Sequence, residues 1–311
     1  MSLLDVPRAA EQPAEPRGET HAVPGRTGRA SLTGLRARRR LMRWVTFGLA
    51  VGFGVVMLIP FALMVSTAFK SHAYVLEIPP RLIPAQPTID NFVEAWTGQD
   101  FGRFFLNSVL VAVASTALAV SLGSMLAFAF ARYSFPGRRI LFAALLFTMM
   151  VPGMVLLIPQ FILAKNLGLL NSLVGLVVVY AAMNLGLNVF LLRGFFGAMP
   201  QEMFDAAEVD GAGVWASFWR VGVPLARPGI ATVTLFSFLA AWDEFTWAIV
   251  SLSSKELYTL PIAVRSLQRA QATEWGLVFA ASLIALGPVL LLFVLLQKQF
   301  VSGAFVGATK G

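Results

Sequence analysis

The chain alternates long apolar runs with short polar ones. Trp44–Phe69, Phe104–Phe130, Ile140–Ala164, Ser172–Leu192 and Trp275–Gln297 carry no charged residue, and each is 21 to 27 residues long. A helix of roughly 20 apolar residues crosses a hydrocarbon core of about 30 Å, so each run predicts a span. A sixth stretch, Pro228–Ser254, is long enough but is interrupted by Asp243 and Glu244; we read it as the fifth span in chain order. The runs lack the period-2 alternation of barrel strands, and lipid leaves no other way to satisfy the backbone. The expected fold is therefore an all-α membrane protein with six transmembrane helices.

Within the spans, Pro152 and Pro159 predict kinks in the third. Small residues recur along the second at Ala112, Ala114, Ser115, Ala119, Gly123, Ala127 and Ala131, which permits close helix packing. Between the first two spans, Ile78–Pro87 is too rich in proline to be helical throughout. Thr88–Trp96 predicts a short helix capped by Thr88 or Asp90. Residues 1–40 are expected to be a disordered basic tail, and 41–311 a six-helix transmembrane domain. The first apolar run starts too late and is too long for a secretory signal.

Composition agrees with lipid as solvent: 57% of the 311 residues are hydrophobic and 13% charged, and the mean hydropathy is +0.74. The net charge of +8 does not indicate nucleic-acid binding, because nine of the 24 basic residues lie in the first 43 positions. With both termini placed inside, the inner segments hold 17 Lys and Arg and the outer segments 7. That bias predicts cytoplasmic N- and C-termini. There is no cysteine, and His21 and His72 stand far apart, so neither a thiol nor a histidine metal site is expected.

One inner loop is too patterned to be a mere connector. Met199–Pro228 predicts a helix over Gln201–Val209, a turn at Gly211, and a second helix from about Ala212 to Val221 that ends before Pro224. Glu202, Asp205 and Glu208 form an acidic stripe on the first helix, and Val214, Trp215, Phe218 and Trp219 an aromatic face on the second. The acids favour a helix N-terminus and the aromatics a membrane interface. The same pattern also suits docking onto a cytoplasmic partner.

The spacing in this loop resembles the EAA loop of bacterial ABC importer permeases: Asp205-Ala206-Ala207, then Gly211, then Val221, Val223 and Pro224. Asp205 stands where that pattern has Glu. Over roughly residues 41–311 the chain is similar to the carbohydrate branch, and to its maltose-transporter type. The similar stretches include Thr88–Phe92, Arg132–Gly137 (RYSFPG), Ala241–Phe245 (AWDEF), Thr259–Pro261 and the ending Gln297–Gly311. Asp243 stands where the family usually has Asn, and Glu244 matches the family acid.

The resemblance implies a type I ABC importer permease in the bacterial inner membrane, with loop 200–223 as a helix-turn-helix coupling element. It implies coupling through Asp205, Ala206, Ala207, Asp210, Gly211, Trp215 and Pro224. It also implies a second homologous permease, two ATPase subunits carrying ATP and Mg, an extracytoplasmic sugar-binding protein and contact with lipid. The chain itself has no Walker motif, hence no ATPase activity and no bound cofactor of its own is expected.

Residues suited to a sugar pathway are Asn184, Asn188, Trp242, Asp243, Glu244 and Trp247; helix–helix bonding by the amides and an interfacial belt of tryptophans are the plain alternatives. Asp243 and Glu244 lie 15 residues into their span, so they face a watery path, a subunit interface or the outer headgroups. A stand-alone transporter driven by an ion gradient, with these two acids as the coupling pair, is the competing reading.

Overall fold

The computed structural model describes residues 29–71, 81–268 and 274–308; the side chains of residues 29–40, 99 and 300–308 lie outside that description. His21, His72 and most of the expected tail fall outside it too. The described residues form helices joined by short loops. Two compact units divide after Ile59. The described part of the first belongs to α1 (Arg29–Ala68), which begins inside the segment expected to be tail. From Leu41 to Ala62 its apolar side chains are exposed, as a lipid-facing span requires, whereas Leu63 and Met64 are half-buried and Ala68 is buried.

The second unit holds the rest. Its helices are α2 (Asp90–Thr97), α3 (Phe101–Arg132), α4 (Arg138–Met150), α5 (Gly153–Asn166), α6 (Leu173–Gly197) and α7 (Glu202–Val209). They continue with α8 (Val214–Leu225), α9 (Arg227–Trp242), α10 (Thr246–Ser251), α11 (Leu260–Leu267) and α12 (Trp275–Ala308). Among the described residues, four helices are long and apolar enough to cross a membrane by themselves. The number rises to six when the bent pairs α4–α5 and α8–α9 each count as one span.

The bends have local causes. Between α4 and α5 the chain turns by 108°. Pro152 lacks an N–H and pushes Val151 out of the helical region, to φ −86° and ψ 121°. Pro159, expected to kink the span as well, stays inside α5. The fifth span also departs from expectation. The stretch Pro228–Ser254 is not one helix: α9 ends at Trp242, and α10 starts only at Thr246.

α3 and α6 pack along their length. The small-residue stripe makes this possible: Ala112, Ser115, Ala119, Gly123 and Ala127 are all buried. At Gly123 the approach is closest, since a methyl there would stand 2.8 Å from Asn188 Cβ. On α2 the N-cap position falls to Ile89, between the two expected residues, and it has no side-chain cap. Asp90 is the first helical residue, and its N–H donates to Thr88 Oγ1 at 3.1 Å. One residue on, the buried Asn91 donates to the carbonyls of Ala68 and Lys70 at 2.8 and 2.7 Å. That ties α2 to the end of α1.

Candidate functional site: the hairpin and the broken span

α7 and α8 form a hairpin. α7 ends in a Schellman arrangement: Ala212 N–H donates to Ala207 O at 2.8 Å and Gly211 N–H to Glu208 O at 2.9 Å. This requires a left-handed residue, and Gly211 supplies it with φ +81°. The second helix is longer than expected. It runs on through Pro224 to Leu225 because Ser217–Gly222 widens into a π-turn, in which Val223 N–H donates five residues back to Phe218 O. A wide turn accommodates the proline ring and its missing N–H better than an α-turn.

The hairpin has a buried side and a bare side. Phe204 of α7 and Phe218 of α8 are buried against Phe128 of α3 and Phe196 of α6, with ring centroids 5.3 to 5.9 Å from that of Phe128. Phe218 thus leaves the expected aromatic face for the core. Val214, Trp215 and Trp219 remain exposed. Asp205, Ala206, Asp210 and Gly211 are exposed too, whereas Ala207 and Pro224 are half-buried. The bare side therefore joins an acidic helix to two tryptophans.

Arg132, the last residue of α3, holds the base of the hairpin. It donates to Met199 O at 2.8 Å and to Gln201 Oε1 at 3.0 Å, and its guanidinium lies 4.1 Å from the Phe204 ring centre. A cavity of about 210 Å³ opens beside it, lined also by Phe128, Glu208 and Ser217.

The second candidate region lies where α9 breaks. Glu244 is not a loose acid. Its carboxylate accepts from Trp247 N–H at 2.7 Å, Ala248 N–H at 3.1 Å and Tyr180 hydroxyl at 2.7 Å. It therefore caps α10 and ties it to α6. Tyr180 is about 11 Å along α6 from Leu173 and about 26 Å from the hairpin end, at 1.5 Å per residue. The break is thus displaced away from the hairpin.

Asp243, by contrast, is exposed. It lines a cavity of about 340 Å³ together with Arg265, Gln268 and Ser282. Trp242 borders this cavity but is buried, stacked on Phe238 at 5.5 Å, and donates its indole N–H to Ala285 O at 3.2 Å. Trp247 is 1% exposed, inside the helical core. Asn188 is fully buried and exchanges hydrogen bonds with Ser237 at 2.9 and 3.1 Å, whereas Asn184 is half-buried and donates to Tyr180 O at 2.9 Å. The structure thus gathers Asn184 and Glu244 around Tyr180, leaves Asp243 on a cavity, and sets Asn188 apart as a packing bond.

Neither periodicity nor charge pattern marks Arg132, Gln201 or Tyr180 as a site residue, although all three fall within stretches the sequence singles out. Among the described residues no group of His, Cys, Asp or Glu is placed to hold a metal.

Several known proteins are similar to this chain. The chain is 32% identical to the diacetylchitobiose uptake system permease protein NgcG of Streptomyces coelicolor, over 85% of this chain and 87% of that one. It is 32% identical to the trehalose transport system permease protein SugB of Mycobacterium tuberculosis, over 88% and 99%. Its fold is similar to a chain in the crystal structure of a bacterial ABC transporter that imports the acidic polysaccharide alginate. There the TM-score is 0.74 and the identity 25%, over 84% of this chain and 97% of that one. Residues 119–304, which include both the hairpin and the broken span, match the pattern of binding-protein-dependent transport system inner membrane components. The chain belongs to that family of multi-pass membrane permeases, which are transport components and not enzymes.

Proposed function

We propose that this chain is one of two homologous permease subunits of a maltose-type importer that brings a sugar or oligosaccharide into the cell. An extracytoplasmic binding protein delivers the sugar, and two ATPase subunits holding ATP and Mg drive the cycle. The observation that carries this reading is the hairpin. It is a rigid helix-turn-helix, anchored in the core by Phe204 and Phe218, with an acidic and aromatic side left bare for a partner. Asp205, Ala206, Ala207, Asp210, Gly211 and Trp215 form the docking face; Pro224 lies in the half-buried stem below. Closure of the ATPase pair moves the hairpin, and the hairpin moves α3 and α6, which hold it.

A sugar or oligosaccharide is favoured because the relatives named above transport diacetylchitobiose and trehalose. On the pathway we place Asp243, at the edge of its cavity, and Asn184, one turn along α6 from Tyr180; Glu244 and Trp247 support Asp243 from behind. Both termini are cytoplasmic, on the 17-to-7 bias of basic residues. The ion-coupled alternative loses its support, since Glu244 is already engaged by three donors and the family works with binding proteins.

The test is sugar uptake alongside retention of the ATPase in Gly211→Trp and Asp205→Lys. Gly211→Trp places a bulky side chain on a left-handed residue, and Asp205→Lys reverses the charge on the docking face. Inserted protein with uptake lost supports the assignment; full uptake in both variants rejects it.

A further inference from the structure

The docking acid does not choose its direction alone. Asp205 Oδ1 accepts from Gln201 Nε2 at 2.9 Å, one turn earlier on the hairpin. Gln201 in turn accepts, through Oε1, from Arg132 at 3.0 Å. A guanidinium offers only donors, so the oxygen end of the Gln201 amide must face Arg132. The amine end must then face away, and Asp205 stands there. Arg132 is itself held at two further points, by Met199 O at 2.8 Å and by the Phe204 ring at 4.1 Å. It ends α3, which is packed tightly on α6 at Gly123 and Asn188.

We propose that Arg132, Gln201 and Asp205 form a hydrogen-bond relay that aims the Asp205 carboxylate at the ATPase and links it to the end of α3. Arg132 and Gln201 are then positioning residues for energy coupling. The proposal rests on the docking function of the hairpin. Because Asp205 is one methylene shorter than the Glu of the family pattern, its reach is smaller and its direction matters more. An ordinary Gln–Asp pair four residues apart would only support a helix modestly. The relay adds an external anchor that a helix pair lacks.

The experiment uses the full complex, purified through a tag on this chain. It measures the dissociation rate of the ATPase subunit and the rate of ATP hydrolysis, with melting of the isolated permease as a folding control. Gln201→Leu removes the link; Gln201→Glu keeps the bond to Arg132 but repels Asp205; Arg132→Met removes the anchor. Each should speed dissociation by about fivefold to tenfold, as expected for loss of a charge-assisted bond. The exposed Gln201 variants should melt as the unaltered chain does. Because the residues act in series, Arg132→Met with Gln201→Leu should be no worse than Arg132→Met alone. Independent roles would multiply to about 25-fold or more. A multiplied loss, or unchanged dissociation in Gln201→Glu while Asp205→Lys still releases the ATPase, overturns the relay and leaves the docking reading standing. Unchanged dissociation in Asp205→Lys removes the docking reading and the relay together.

Discussion

Glu244 is the intramembrane acid most readily assigned a transport role, yet its surroundings make it a structural cap. Three donors converge on its two oxygens: the backbone N–H groups of Trp247 and Ala248 and the hydroxyl of Tyr180. Glu244→Ala leaves all three donors unpaired on residues that are themselves buried, Tyr180, Trp247 and Ala248. Each buried unsatisfied group costs about 1–3 kcal/mol, so the loss is on the order of 3–9 kcal/mol before relaxation. Glu244→Gln is milder. Its oxygen can still accept from Trp247, and its amine can donate to a rotated Tyr180 hydroxyl, but Ala248 N–H loses its acceptor and the charge is gone. About 2–3 kcal/mol is expected for that change.

Tyr180→Phe removes a single donor and costs about 1 kcal/mol. The melting temperature of the purified permease, followed by intrinsic fluorescence, should therefore fall in the order Tyr180→Phe, Glu244→Gln, Glu244→Ala. Uptake should decline in step with stability. If Glu244→Ala melts like the unaltered chain while uptake is abolished, the carboxylate works on the substrate and the capping account is wrong.

Further outcomes follow from the same geometry. Gly123→Val should impair membrane assembly strongly, because even its Cβ would meet Asn188 at 2.8 Å; normal yield and melting would contradict the α3–α6 packing. Asp243→Asn restores the residue usual in the family and leaves no buried donor unpaired, so it should change uptake affinity without lowering the melting temperature, as uptake titration and melting will check. Because the chain has no cysteine, single cysteines at 86 and 255 should react with an impermeant thiol reagent from outside, and those at 136 and 309 should not. Labelling of position 136 in intact cells would overturn the proposed orientation.

The spans were legible because lipid imposes a simple rule: long uncharged runs must be helices. The hairpin was legible from Gly211 and the two helical patterns beside it. What the sequence hid were effects of tertiary contact. Nothing in local propensity reveals that a π-turn carries α8 past Pro224. Nor does it reveal that Phe218 turns inward to meet Phe128 while Trp215 and Trp219 stay bare. The fifth span misled because length and hydropathy do not register a carboxylate capping a new helix. Glu244 reads as an expensive charge in a span, until the three donors that satisfy it are seen together. The pathway residues separated for the same reason, since burial of Asn188 and Trp247 depends on which helix faces them.

Transport itself is the most direct test. The complex purified through this chain would be reconstituted in proteoliposomes with its extracytoplasmic binding protein and a panel of labelled sugars, diacetylchitobiose and trehalose among them. ATP supplied on the hairpin side should drive accumulation of at least one sugar, with loss of uptake when the binding protein is omitted or Asp205→Lys is introduced. Accumulation driven by a proton or sodium gradient without ATP, and indifferent to the binding protein, would contradict the account.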